Sequence, residues 1–300
     1  MNRFLCFGSL NLDDTYRVAH FVRPGETLAA SEMKTFCGGK GLNQSIALAN
    51  AGATVYHAGC IGADGTPLLE ALQQAKVNTD YVRVLQGEKT GHAIIQNTAD
   101  GENCILLFGG ANQFVTKEQI DSTLKQFESS DVLVLQNEIN FIPYLIKAAK
   151  MKGMRIAFTP APMQESVKNY PLGEADYILL NETEAKALAA SSGSAETGTT
   201  YVADKFCAEY PHTRFVFTLG AGGALYAHRQ ERVFQSAFPA TAVDTTAAGD
   251  TFTGFFLQSI VAGGTVKEAL ATAAKAAAVC VTRRGAAASI PTREALCDLK

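Results

Sequence analysis

The stretch Val243–Gly264 reads VDTTAAGDTFTGFFLQSIVAGG. Small residues crowd Thr245 to Gly249, Asp250 follows, and an apolar run that reads as a helix comes next. A helix N-terminus presents free N–H groups and the positive end of a dipole. With Ala247, Ala248 and Gly249 in the turn, no bulky side chain blocks approach to those groups. Such a turn suits a developing phosphoryl charge. A carboxylate at the same turn can take a proton from an attacking hydroxyl. Base, anion hole and alignment from one turn would make a phosphoryl-transfer centre. The plainer alternative is that Asp250 only caps a helix.

Working outward, helices and strands alternate from residue 116 onward. DVLVLQ (131–136), RIAFTP (155–160), DYILLN (176–181) and RFVFTLG (214–220) are short, apolar and β-rich, with helical stretches between most of them. This is the pattern of parallel strands with crossover helices. Long helices are expected at about 249–262 and 266–283, the second stopping before Gly285. Earlier, RFLCFGS (3–9) and TVYHAGCIG (54–62) read as strands. GGKGLNQSIALANAGA (38–53) reads as a helix, and so does DGTPLLEALQQAKV, with Pro67 in its first turn. SEMKTF (31–36), YVRVLQ, GHAIIQNT and NCILLF are further strand candidates. The expectation is an α/β fold with a doubly wound, mostly parallel sheet flanked by helices. Residues 1–11, 38–87 and 111–300 would form the core. Segments 12–37 and 88–110 would form a small β-sheet lid beside the ligand crevice.

Composition removes several functions. The chain has 300 residues, 47% hydrophobic and 18% charged, which suits a large buried core. Its net charge of −3 gives no basic face for nucleic acid. The cysteines at 6, 37, 60, 104, 207, 280 and 297 are scattered, with no C-x-x-C pair. That suits reduced thiols in a cytoplasm better than a disulfide framework or zinc site. No apolar run is long enough to span a membrane, and no signal peptide is expected.

Familiar phosphate and hydrolase signatures are missing. CGGKGLNQS carries a Gly-Lys pair, but Lys34 stands where a P-loop needs its first glycine. TLGAGGALY (218–226) has glycines but continues as a strand. There is no G-x-S-x-G and no H-E-x-x-H. His57 and His92 fall in strand candidates, where packing is the simpler role.

DTTAAGDTFTGFF and GGKGLNQSIALANAGA resemble the two signature segments of the ribokinase-like (PfkB) carbohydrate kinase family, on its ribokinase branch. The resemblance extends along nearly the whole chain. GSLNLD, PGET (24–27), GGAN (109–112), NETEAKAL (181–188), TLGAGG (218–223) and TRRGAAASIP (282–291) follow in the family's order.

The resemblance implies Asp250 as catalytic base, with Ala247, Ala248 and Gly249 as the anion hole. It implies Asn11, Asp13, Gly39, Lys40, Asn43 and Glu138 as sugar ligands, a set offering both acceptors and donors. For ATP it implies Asn181, Glu184, Thr218, Gly220, Gly222, Gly223 and Gly249. Asn181 and Glu184 would hold the Mg²⁺–phosphate network. The plainer reading of that pair is a helix start. Asp244, Thr246, Cys280, Arg283, Gly285 and Ser289 match a site for K⁺, mostly through backbone carbonyls. The alternative there is an ion pair of Asp244 with Arg283 or Arg284.

The expected activity is ATP-dependent phosphorylation of a primary hydroxyl of a pentose, D-ribose first. A kinase for another sugar or a nucleoside is the nearest alternative, and a non-catalytic sensor a remoter one. Departures from the family pattern at His92, Gln96, Phe108 and Ala274 bear on the substrate, not on the reaction. A homodimer through the lid is expected.

Overall fold

The computed structural model describes residues 2–100, 102–190 and 198–297. In chain order it begins β1 (Arg3–Phe7), β2 (Asn11–Arg17), β3 (Glu32–Gly38), α1 (Lys40–Asn50), β4 (Thr54–Gly62), α2 (Thr66–Gln74) and β5 (Asn78–Leu85). Then come β6 (Gly91–Asn97), β7 (Asn103–Phe108), α3 (Lys117–Leu124), β8 (Val132–Gln136), α4 (Ile142–Met151) and β9 (Arg155–Thr159). The remainder is β10 (Tyr177–Asn181), α5 (Glu182–Ala189), α6 (Thr199–Glu209), β11 (Arg214–Thr218), β12 (Ala224–His228), β13 (Glu231–Gln235), α7 (Ala248–Val261) and α8 (Val266–Cys280).

Strands β13-β12-β11-β10-β9-β8-β1-β4-β5, in that spatial order, form one sheet. From β10 to β5 its neighbours pair in parallel, whereas β11–β12 and β12–β13 are antiparallel. Strand β1 shows why the sheet is covered on both faces. Leu5 and Phe7 enter the core that α3, α4, α5 and α6 cover. Phe4 and Cys6, on the other face, enter the core under α1, α2, α7 and α8. Alternation along a wholly apolar strand needs an apolar partner on each side. The sequence reading of a doubly wound, mostly parallel sheet therefore holds. It missed β13, whose polar ERVFQ sits at the sheet edge. The last long helix also ends earlier than expected, at Cys280, and turns run on to Gly285, whose φ is 91°.

The smaller sheet has the order β3-β2-β6-β7. Strands β2 and β6 pair in parallel, from Asn11 with Gly91 to Arg17 with Asn97, although about eighty residues of sequence part them. The two segments read as a lid thus do meet. Register fixes the faces. Asp13 pairs with Phe36 and Ala93, so these share one face. His92 pairs with Leu12 and Phe108 and lies on the other.

Helices α1 and α7 cross very closely. A Cβ on Gly254 would lie 2.5 Å from the Ala47 Cβ and 2.7 Å from the Leu48 nitrogen. Only glycine lets two helix backbones approach this far. One turn back along each helix stand Asp250 and Asn43.

Candidate active site

The crevice lies at the carboxyl ends of β1 and β8, where the chain's winding direction reverses. Open α/β sheets bind ligands at such a point. After β1 come Gly8, Ser9 and the corner into the lid. After β8 comes Glu138. Facing them are the first turns of α1 and α7.

Asp250 is 7% exposed and does not cap its own helix. Asn43 Nδ2 donates to its Oδ2 at 3.1 Å, and Gln44 Nε2 donates to its Oδ1 at 2.9 Å. Both donors come from α1, so the capping alternative fails. Ahead of it, Ala247 is left-handed at φ 61°, an unusual conformation for a residue with a Cβ. The Ala248 N–H reaches back to Thr245 O at 3.3 Å. A side chain at Gly249 would meet nothing within 4 Å. The turn is open, and first-turn helix N–H groups have no partner within the helix.

Lys40 stands at the start of α1, after Gly39, whose φ of 93° a side chain would oppose. The negative charge of Asp250 raises the Lys40 ammonium above its usual range against burial, and Glu138 and Glu184 add to the effect. Three acids thus act on one cation across the crevice. Glu138 Oε2 accepts the Lys40 backbone N–H at 3.0 Å and the Ser9 hydroxyl. Burial pushes the Glu138 carboxyl up, despite Lys40. Asp13 is pushed up to about 7, by burial first and then by the charges of Glu138 and Asp14. Asn11 is buried and its Oδ1 accepts Asn112 Nδ2 at 2.8 Å. Asn112 also bonds the Leu10 backbone on both sides, Oδ1 from N–H and Nδ2 to C=O. It pins the corner between β1 and the lid.

Farther along the sheet, Asn181 and Thr218 are register partners at the ends of β10 and β11. Asn181 Oδ1 accepts the Glu184 N–H at 2.8 Å, and Glu184 Oε2 accepts the Asn181 N–H at 2.9 Å. This is a complete capping box, the plainer of the two readings for the pair. The Glu184 charge still reaches Lys40. Gly220 and Gly222 form a tight turn that leads through Gly223, at φ 109°, into β12.

The residues matched to a cation site also converge. Asp244 Oδ1 accepts the Thr246 N–H at 2.9 Å, and Oδ2 accepts the Gly285 N–H at 3.0 Å. Burial would lift this carboxyl, but those hydrogen bonds outweigh it and hold it below its usual range. Among the described residues it forms no ion pair within 4 Å with Arg283 or Arg284. Cys280 Sγ lies 3.7 Å from Thr246 O and 3.1 Å from Ser289 Oγ. The Arg283 N–H returns to Cys280 O.

Two histidines are now placed. His57 is fully buried between Ser45 Oγ at 2.8 Å and Gly8 O at 3.3 Å, and burial lowers it to about 4. It is a packing residue. His92 packs on Phe108 with ring centroids 5.1 Å apart, on the lid face opposite Asp13. This agrees with the packing role read from its strand position: a one-residue alternation along β6 turns it away from the face that carries Asp13. Sequence reading missed Ser9, Gln44, Asn112 and Gln136. One signal for Gln44 was present, a pair of carboxamides inside an otherwise small and apolar helix.

The family model for the pfkB family carbohydrate kinases matches residues 1–293. The chain is 35% identical over 291 residues to a ribokinase of Haemophilus influenzae, covering 96% of this chain and 94% of that protein. It is 32% identical over 282 residues to a deoxyribokinase of Salmonella typhimurium, covering 91% and 90%. Among solved structures it is similar to Arabidopsis thaliana ribokinase complexed with ribose and ATP. The TM-score there is 0.88 at 31% identity, covering 100% of this chain and 99% of that one. The chain belongs to the pfkB family of carbohydrate kinases, and its activity is ATP-dependent phosphoryl transfer to a hydroxyl of a sugar or nucleoside.

Proposed function

We propose that the acceptor is a pentose, D-ribose before others, and that the phosphoryl group goes to its primary hydroxyl at O5. Asp250 takes the hydroxyl proton as the oxygen attacks the γ-phosphorus of ATP. The bond to the β-phosphate oxygen breaks and ADP leaves. The small-residue turn of Ala247, Ala248 and Gly249, at the open start of α7, is the anion hole for the charge that builds on the transferring group. Asn11, Asp13, Gly39, Lys40, Asn43 and Glu138 line the sugar site. Asp13 accepts the 2- and 3-hydroxyls, Lys40 donates, and Asn11 acts in concert with Asn112. Asn181, Glu184, Thr218, Gly220, Gly222 and Gly223 border the nucleotide.

One observation carries this reading. A buried carboxylate, held on both oxygens from another helix, sits in the first turn of α7 behind an unobstructed run of small residues. A pure binding protein has no use for a base held in this way.

Mg²⁺ fits as a guest of the nucleotide. Among the described residues no three His, Cys, Asp or Glu side chains form a metal cluster. Glu184 is the carboxylate that would stand beside an ion held otherwise by phosphates and water. Bound there, it would neutralise phosphate charge. K⁺ fits the loop pair that Asp244 ties together, with Thr246, Cys280, Arg283, Gly285 and Ser289 contributing mostly carbonyl oxygens. A homodimer through the lid suits β7, exposed at every residue. A cytoplasmic setting suits seven free cysteines.

The test is ADP release over D-ribose, 2-deoxyribose, hexoses and nucleosides, with the product's phosphate located by NMR. Ribose should lead, and Asp13→Ala should raise its KM and narrow its margin over 2-deoxyribose. A site that pairs with a hydroxyl rejects the analogue lacking it by up to ~10⁴-fold. Preference for 2-deoxyribose or a nucleoside would contradict the substrate and leave the kinase standing.

A further inference from the structure

Beneath Asp250 runs a chain of buried carboxamides. Gln44 is 0% exposed, and its Nε2 lies 2.9 Å from Asp250 Oδ1 and 3.4 Å from Thr159 Oγ1. An ionised carboxylate only accepts hydrogen bonds, so Gln44 must face it with its NH₂. The Gln44 Oε1 is thereby turned the other way, where Gln136 Nε2 donates to it at 2.7 Å. Gln136 is also 0% exposed, and its Nε2 lies 3.5 Å from Cys6 Sγ.

This arrangement carries a cost. Gln136 Oε1 is buried with no partner. A Cβ at position 8 would lie 2.1 Å from that oxygen, so the amide fits only beside glycine. Buried polar groups are ordinarily satisfied, and an exception calls for an explanation. Apolar side chains of similar size would fill the space between α1, β1 and β8 without an orphaned carbonyl. What the two glutamines supply instead is a donor of fixed orientation against one oxygen of Asp250.

We propose that Gln44, oriented by Gln136, is a positioning residue for the catalytic carboxylate: it aims Asp250 at the acceptor hydroxyl through a donor of fixed orientation, without touching the sugar. This rests on the reading of Asp250 as the base. Hydrogen bonds donated to a carboxylate favour ionisation, so losing one should move activity to higher pH. The other titratable groups whose charge couples to Asp250 are Lys40 on α1, Glu138 after β8, Cys6 on β1 and Cys280 on α8. The variants below leave all of them in place.

The experiment measures single-turnover phosphoryl transfer against pH for Gln44→Leu, the near-isosteric Gln44→Glu, Gln136→Leu and the double variant Gln44→Leu/Gln136→Leu. Thermal midpoints are measured alongside, and Asp250→Asn is the control. Gln44→Leu should slow transfer ~10-fold and move the acid limb to higher pH, with sugar KM nearly unchanged. Gln44→Glu keeps the shape and places a like charge beside the base, so its acid limb should rise further. Gln136→Leu should do less in the same direction, and nothing once Gln44→Leu is present, because it acts through Gln44. An acid limb that stays put in both Gln44 variants overturns the proposal. So does a Gln136→Leu effect that adds in full to that of Gln44→Leu. If Asp250→Asn transfers at near wild-type rate, the base reading fails and takes this inference with it. If Asp250→Asn is inactive while the Gln44 limbs do not move, only the inference fails.

Discussion

Gly254 and Ala47 meet where α7 crosses α1, with room for a hydrogen but not a methyl: a Cβ at 254 would lie 2.5 Å from that of Ala47. One turn toward each N-terminus, Asp250 accepts the Asn43 amide at 3.1 Å. The closeness of the helices and the reach of the carboxylate are thus one geometric fact. Gly254→Leu should force the helices apart, with overpacking at a buried crossing costing ~1–3 kcal/mol or more. The thermal midpoint should fall. Turnover of the folded fraction should fall as well, because Asn43 and Gln44 lose their grip on Asp250. Unchanged turnover in a destabilised Gly254→Leu protein would separate the two.

Asp13 makes a pH prediction. Its folded-state carboxyl is pushed up to about 7, by burial and then by Glu138 and Asp14, from the ordinary aspartate value of 3.8. Between those values the folded chain holds a proton that the unfolded chain gives up. Its contribution to stability is therefore present at low pH and lost as pH rises through that window. Asp13→Asn should raise the thermal midpoint more at pH 8 than at pH 4. If the sugar pairs with the ionised form, sugar affinity should weaken as pH drops below 7 in the parent protein and stay flat in Asp13→Asn. Calorimetric titration at several pH values checks both arms, and a flat profile in the parent protein would contradict them.

Much of this was legible in the chain. The strands β8 to β11 are continuous apolar runs, and runs of that kind declare a sheet covered on both faces. The Gly- and Ala-rich turn before Asp250 declared an unobstructed helix start with a carboxylate in its first turn. Register was not legible. The pairing of β2 with β6 decides that His92 lies opposite Asp13, and no pattern within GHAIIQNT reveals it. Nor could spacing reveal Gln44 with Gln136 or Asn11 with Asn112, because each pair is about a hundred residues apart and meets only in the folded molecule. The edge strand β13 was missed because an exposed strand has no need of apolar residues.

The cation loop gives a third prediction. Asp244 joins the Thr246 N–H, just ahead of the small-residue turn, to the Gly285 N–H after α8. Occupancy by K⁺ should stiffen that join, a coupling typically worth ~1–3 kcal/mol. At fixed ionic strength, activity should be several-fold higher with K⁺ than with Na⁺ or a bulky organic cation. Asp244→Ala should lower activity and remove the difference. Equal rates with all three cations in the parent protein would contradict an activating site.

The lid gives a fourth. On β7, Ile105 is 56% and Leu106 68% exposed, on opposite faces. Small sheets do not stand well alone, and exposed apolar faces mark contact surfaces. Sedimentation at micromolar concentration should show a dimer, and Leu106→Glu should shift it toward monomer. A fully active monomeric parent protein would contradict the dimer.

The most direct test of the account is Asp250→Asn, which keeps the shape of the side chain and removes its capacity to take a proton. With ATP, Mg²⁺ and D-ribose, turnover should fall by at least ~10²-fold while sugar binding, measured by calorimetry, changes little. Turnover near that of the parent protein, with the variant folded and binding sugar, would contradict the assignment of Asp250 as the base.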